Sequence, residues 1–104
     1  MIPSDIIAKK RNGEELKNRD ISWFLKEYLK DNVTDAQMSA FLMAIYFNGM
    51  SDIELLTLVN EMLNSGNIIE FEKSELYVAD KHSTGGIGDK TSLILAPIMA
   101  AAGL

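Results

Sequence analysis

The stretch with chemistry in it is Asp80-Lys81-His82-Ser83-Thr84-Gly85-Gly86-Ile87-Gly88-Asp89-Lys90-Thr91-Ser92. Glycine fills three of the four positions 85–88, so backbone amides can turn inward without Cβ clashes and form an anion nest. The helix predicted to follow would add its N-terminal amides and the positive end of its dipole. Lys81 supplies a point charge, and Ser83, Thr84, Thr91 and Ser92 supply hydroxyl donors. Physically this is a phosphate cradle at the C-terminal end of a strand, where open α/β sheets place ligands. Two familiar phosphate patterns fail. A P-loop would need glycine at the positions of Thr84 and Asp89, and a dinucleotide fingerprint starting at Gly86 would need Gly or Ala at the position of Thr91. Residue types and spacing therefore leave two readings: a phosphate loop of another kind, or a structural glycine turn.

Composition narrows the surroundings of that loop. The chain has 104 residues, 47% hydrophobic and 24% charged, which suits one globular domain and not two ordinary ones. Ten Lys plus Arg against 15 Asp plus Glu give a formal net charge of −5, which argues against a generic binder of nucleic-acid backbones. With no cysteine, a disulfide scaffold, a Cys-based zinc site, an iron–sulfur cluster and a thiol nucleophile are excluded. A single histidine rules out a multi-His metal site within one chain. The start, Met1-Ile2-Pro3-Ser4-Asp5, lacks the basic and apolar regions of a signal peptide. The longest mostly apolar run, Leu93 to Leu104, is shorter than the roughly 18–20 residues a membrane span needs. A cytoplasmic location is expected.

The elements that must carry the loop are mostly helical. Pro3-Ser4-Asp5 opens a short helix through Arg11, closed by Asn12-Gly13, with Lys9-Lys10-Arg11 read as its solvated end. Ile21, Phe24, Leu25, Tyr28 and Leu29 form one stripe of a second helix, capped by Asp20 or Ser22 and ended by Asp31-Asn32. Thr34 to Gln37 and Ser51 to Glu54 are capping boxes that open two more helices. Residues 38–47 of the third helix are apolar around nearly the whole circumference. One neighbour cannot bury them, which predicts a central helix with part of its surface on another subunit. Leu55, Leu58, Val59, Met62 and Leu63 make the stripe of the fourth helix, ending at Ser65-Gly66. The character changes after Gly66. The acidic segment around Glu70 to Glu75 reads as a solvated hinge, Leu76 to Asp80 as a strand, and Lys90 to Ala102 as an apolar helix kinked or split by Pro97. A lone strand has no ladder partner, which implies that more of a sheet lies in a longer polypeptide.

The segment Asp80 to Asp89 resembles the phosphate-binding signature of the thymidine and pyrimidine-nucleoside phosphorylases. Gln37 to Phe47 followed by Gly49-Met50, and the opening Ile6 to Gly13, are similar to their N-terminal helical domain. The resemblance covers essentially the whole chain. It implies a reversible reaction in which a pyrimidine nucleoside and phosphate give the free base and a pentose 1-phosphate. Positioning a desolvated anion beside a sugar that becomes cationic is the main lever for such chemistry. On this resemblance Lys81, Ser83 and Ser92 hold phosphate, His82 stands near the pyrimidine as a donor to the departing base, and Thr84, Gly85, Gly86 and Asp89 support the loop. Some members hold potassium beside this loop, partly at the positions of Gly88 and Lys90. They carry a hydroxyl residue at 90, whereas the ammonium of Lys90 would oppose a cation unless only its backbone were used. No organic cofactor is implied, and the helical domain is the expected homodimer contact.

The fold expected is therefore α+β: an all-α helical dimerisation domain over 1–66, a connector over 67–75, and over 76–104 the first βα unit, with its glycine-rich phosphate loop, of an α/β domain cut short. Partners are phosphate and a pyrimidine nucleoside, with neither nucleic acid nor membrane. The base-reading residues of the family lie past Leu104, so the chain by itself is expected to hold about half an active site and to be inactive. The rival enzyme class is an anthranilate-phosphoribosyltransferase-like protein, which would use magnesium and a pyrophosphate leaving group. Lys81-His82-Ser83 speaks against it. A rival of another kind is a non-catalytic helical dimerisation module.

Overall fold

The computed structural model describes residues 1–71, 77–80 and 90–103. The chain divides into two compact units, Met1–Ile68 and Ile69–Leu104. Among the described residues there are five helices and no strand.

The first unit is a bundle of four helices: α1 (Pro3–Arg11), α2 (Asn18–Leu29), α3 (Asp35–Asn48) and α4 (Asp52–Ser65). Local sequence explains their ends. Pro3 stands in the first turn of α1, where its missing amide costs nothing. At the other end Gly13 donates to Lys10 O at 3.0 Å and Glu14 to Lys9 O at 2.9 Å, a Schellman closure that requires the left-handed φ of +83° at Gly13. The same closure recurs after α2, where Asp31 donates to Tyr28 O and Asn32 to Glu27 O. Here a non-glycine residue, Asp31, takes φ +63°. Both capping boxes form as expected: Thr34 and Gln37 satisfy each other's backbone amides at the start of α3, as do Ser51 and Glu54 at the start of α4. The start of α2 differs from expectation. The helix begins at Asn18 with Lys17 as a cap that makes no side-chain bond, so neither Asp20 nor Ser22 caps it. Asp20 is instead buried and pairs with Lys9 at 3.5 Å and Arg19 at 3.6 Å.

The core lies where α1, α2 and α3 meet. Ile6, Leu16, Ile21, Phe24, Val33 and Phe41 are buried together, with the Phe24 and Phe41 rings 4.5 Å apart between centroids. α1 lies on α3, and α4 lies on α2. α3 is two-faced as its composition requires. Phe41 and Ala44 are buried and Met38 and Ile45 half-buried, while Leu42, Met43, Tyr46 and Phe47 face outward uncovered.

α4 turns most of its apolar stripe away from the core, and of that stripe only Leu58 packs against it. Leu55, Val59, Met62 and Leu63 are more than half exposed, and the inward side is formed by Glu54, Thr57, Leu58 and Glu61. The reason is that two of these polar groups find partners inside. Glu54 meets Lys10, and Glu61 accepts from the Ser22 hydroxyl at 2.6 Å. Lys10 is accordingly 4% exposed and not the solvated helix end its neighbours suggested.

In the second unit, Tyr77–Asp80 have no regular structure, and Tyr77 and Val78 are exposed. The strand expected over 76–80 is thus not formed at its described residues, and Leu76 lies outside them. Among the described residues no other strand offers ladder partners to this segment, and an unpartnered strand leaves its backbone groups unpaired. α5 (Thr91–Ala101) runs through Pro97 as one element, so of the two expectations, a kink or a split, the split does not occur. Leu93, Ile94 and Ile98 on α5 are exposed.

Candidate functional site

Of the residues singled out for phosphate chemistry, Lys81, His82, Ser83, Thr84, Gly85, Gly86, Gly88 and Asp89 lie outside the described residues. Lys90 and Ser92 lie within them. Lys90 is the residue before α5, with helical backbone angles (φ −85°, ψ −17°), an exposed side chain and no capping hydrogen bond from that side chain. Ser92 falls in the first turn of α5 and is half-buried. The helix expected after the glycine loop is therefore present, and its start lies directly after residue 90. Among the described residues no group of three His, Asp or Glu is arranged to hold a metal ion.

The best-defined polar site of the bundle is one that pattern reasoning did not find. Lys10 Nζ donates to both carboxylate oxygens of Glu54 at 2.9 Å, and the two side chains are 5% and 1% exposed. The same carboxylate accepts from the Leu16 amide at 2.7 Å and from the Ser51 amide at 2.8 Å. Burial presses the Glu54 carboxyl toward its neutral form. The Leu16 amide, the Lys10 ammonium and the Ser51 amide together outweigh that and hold it below the usual carboxylate range. Around this pair, Asn48 Nδ2 donates to Lys10 O and Arg11 O, each at 3.0 Å, and Ser51 Oγ donates to Glu15 at 2.7 Å. Lys10, Gly13, Glu15, Asn48, Gly49 and Ser51 border a shallow, open depression beside the pair. Its polar groups already serve one another, which makes the cluster a structural joint between α1, the loop before α2, and α4. The sequence signal was half present, since Ser51-to-Glu54 was legible as a cap, but the cap pattern says nothing about a partner 44 residues away.

Comparison with known proteins gives this arrangement its relatives. The profile described as "Glycosyl transferase family, helical bundle domain" matches residues 4–66, the span of α1 to α4. The pyrimidine-nucleoside phosphorylase of Staphylococcus haemolyticus is 46% identical over 100 residues, covering 96% of this chain and 23% of that protein. The thymidine phosphorylase of Agrobacterium fabrum is 44% identical over 104 residues, covering 100% of this chain and 24% of that protein. The pyrimidine-nucleoside phosphorylase of Bacillus subtilis is 48% identical over 97 residues, covering 93% and 22%. The chain thus spans about a quarter of the length of the curated relatives it matches. It belongs to the glycosyl transferase family marked by this helical bundle domain, and it matches the N-terminal part of the pyrimidine-nucleoside and thymidine phosphorylases.

Proposed function

We propose that this chain is the phosphate-holding portion of a pyrimidine-nucleoside phosphorylase, comprising its helical domain over 1–66, a connector over 67–75, and over 76–104 a segment that carries the glycine-rich loop and α5. The observation that carries the reading is that the similarity does not stop with the bundle. It runs at 44% identity over all 104 residues, through the glycine-rich segment 81–92. Lys81 supplies the charge that draws phosphate, Ser83 and Ser92 donate hydrogen bonds to it, and Thr84, Gly85, Gly86 and Asp89 shape the loop that aims backbone amides at it. The start of α5 right after Lys90 supports this by putting a helix N-terminus next to the loop. His82, close to the departing pyrimidine, donates to the base as negative charge develops on it.

Two further parts belong to the same reading. The outward face of α3, with Leu42, Met43, Tyr46 and Phe47 exposed and no charged residue between Ala36 and Asn48, is the contact through which two copies pair. The chain alone does not turn over nucleoside, because phosphate positioning without the groups that grip the base and sugar leaves the bond-breaking step unassisted. The test has two arms. Inorganic phosphate titrated into ¹⁵N-labelled protein moves the backbone amides of 81–92 and leaves those of α1 to α3 in place; unmoved loop amides would overturn the phosphate assignment. Thymidine or uridine incubated with phosphate and the purified chain yields no free base; base release from a preparation free of longer phosphorylase would overturn the claim of inactivity.

A further inference from the structure

We infer that α4 is a latched arm: it is held to the bundle by the buried Lys10–Glu54 joint and not by an apolar seam, and it opens by itself while α1, α2 and α3 stay folded. Three observations carry this. First, α4 supplies no fully buried apolar side chain among the described residues, and only Leu58 packs against the core built by α1 to α3 and their loops. Second, its inward side is polar. Glu54 is gripped by Lys10 and the Leu16 amide, Glu61 accepts from Ser22, and Thr57 spends its hydroxyl on Ile53 O of its own helix. Third, its apolar residues point the other way, with Leu55, Leu56, Val59, Met62 and Leu63 all at least half exposed, so opening forfeits little burial.

The physics of a buried pair then decides how the arm behaves. When α4 swings away carrying Glu54, both charges regain water together, so recovered solvation offsets most of the attraction lost and the joint holds the arm only weakly. When only one partner is removed, the other is left buried and uncompensated in the closed state, and closure becomes unfavourable. The latch is therefore conditional on both charges being present. It also has a built-in reporter, since the Leu16 amide donates to Glu54 and is freed whenever α4 leaves.

Hydrogen exchange followed amide by amide at pH 7 tests this on the whole chain. In the wild type, the amides of residues 56–65 and of Leu16 exchange on the order of tenfold or more faster than those of residues 41–47 in α3. In Glu54→Gln, the α4 and Leu16 amides speed up by about a hundredfold while α3 changes by no more than about threefold. In the paired apolar variant Lys10→Met/Glu54→Leu, α4 exchange slows below the wild-type rate, since an apolar seam replaces the joint. Equal exchange of α3 and α4 in the wild type would overturn the inference. So would a parallel rise of both helices in Glu54→Gln, or loss of α4 protection in the paired variant. Should Glu54→Gln fail to fold, the wild-type comparison and the paired variant decide alone.

Discussion

Glu54 does two things that usually fall to different residues, closing the capping box of α4 with Ser51 and neutralising Lys10 inside the bundle. Its carboxyl is held below the ordinary range, so the sign of its pH effect is fixed: the stability it contributes is complete above the unfolded-state pKa and is lost as pH falls through the lower folded-state value. Urea unfolding followed by circular dichroism should give a midpoint that drops as pH is lowered from about 5 toward 3. Glu54→Gln should lose part of that drop; an unchanged pH dependence in the variant would refute the role. The Phe24–Phe41 pair makes the complementary apolar prediction. Phe41→Ala, at a position with no exposure, should cost about 3–5 kcal/mol in the same assay. A sequence reading reaches Phe24 through periodicity, whereas Phe41 stands in a helix apolar around nearly its whole circumference, where no single face is marked. It reaches Glu54 as a cap but not as the partner of Lys10, because local patterns report i to i+4 relations and the pairing spans 44 residues.

At the scale of elements, helix ends were the most legible feature because their chemistry is local. Asn12-Gly13, the two capping boxes and Gly49 all act where the sequence places them. The two Schellman closures differ in one respect that can be tested. Gly13 has φ +83° with open space where a Cβ would stand, so Gly13→Ala should cost about 1 kcal/mol through backbone strain alone. Asp31 occupies the same conformation with a side chain, so Asp31→Gly should stabilise by roughly 0.5–1 kcal/mol. Thermal unfolding of the two variants should move in opposite directions. The direction in which a stripe faces was less legible. Periodicity identifies the apolar stripe of α4 but not whether it turns inward, and here Lys10 and Ser22 draw the polar side in. The strand expected near Tyr77–Asp80 failed for the related reason that ladder bonds depend on neighbours which a propensity argument cannot supply.

At the scale of the whole molecule, the bundle carries its own core, whereas α5 has no buried residue among those described. α3 and α5 both leave large apolar side chains exposed, and the chain spans about a quarter of the length of the curated relatives it matches. On the pairing proposed for α3, sedimentation velocity should show a dimer, and Tyr46→Lys/Phe47→Glu should sediment as a monomer with unchanged helical circular dichroism. A wild-type monomer at micromolar concentration would contradict that pairing. The central claim, however, is that the loop from Lys81 to Ser92 holds phosphate, and its most direct test is a calorimetric titration of inorganic phosphate into the wild type and into Lys81→Ala. The account predicts saturable binding by the wild type that is lost in Lys81→Ala, with both proteins equally helical. Equal binding by the two, or none by a folded wild type, would contradict it.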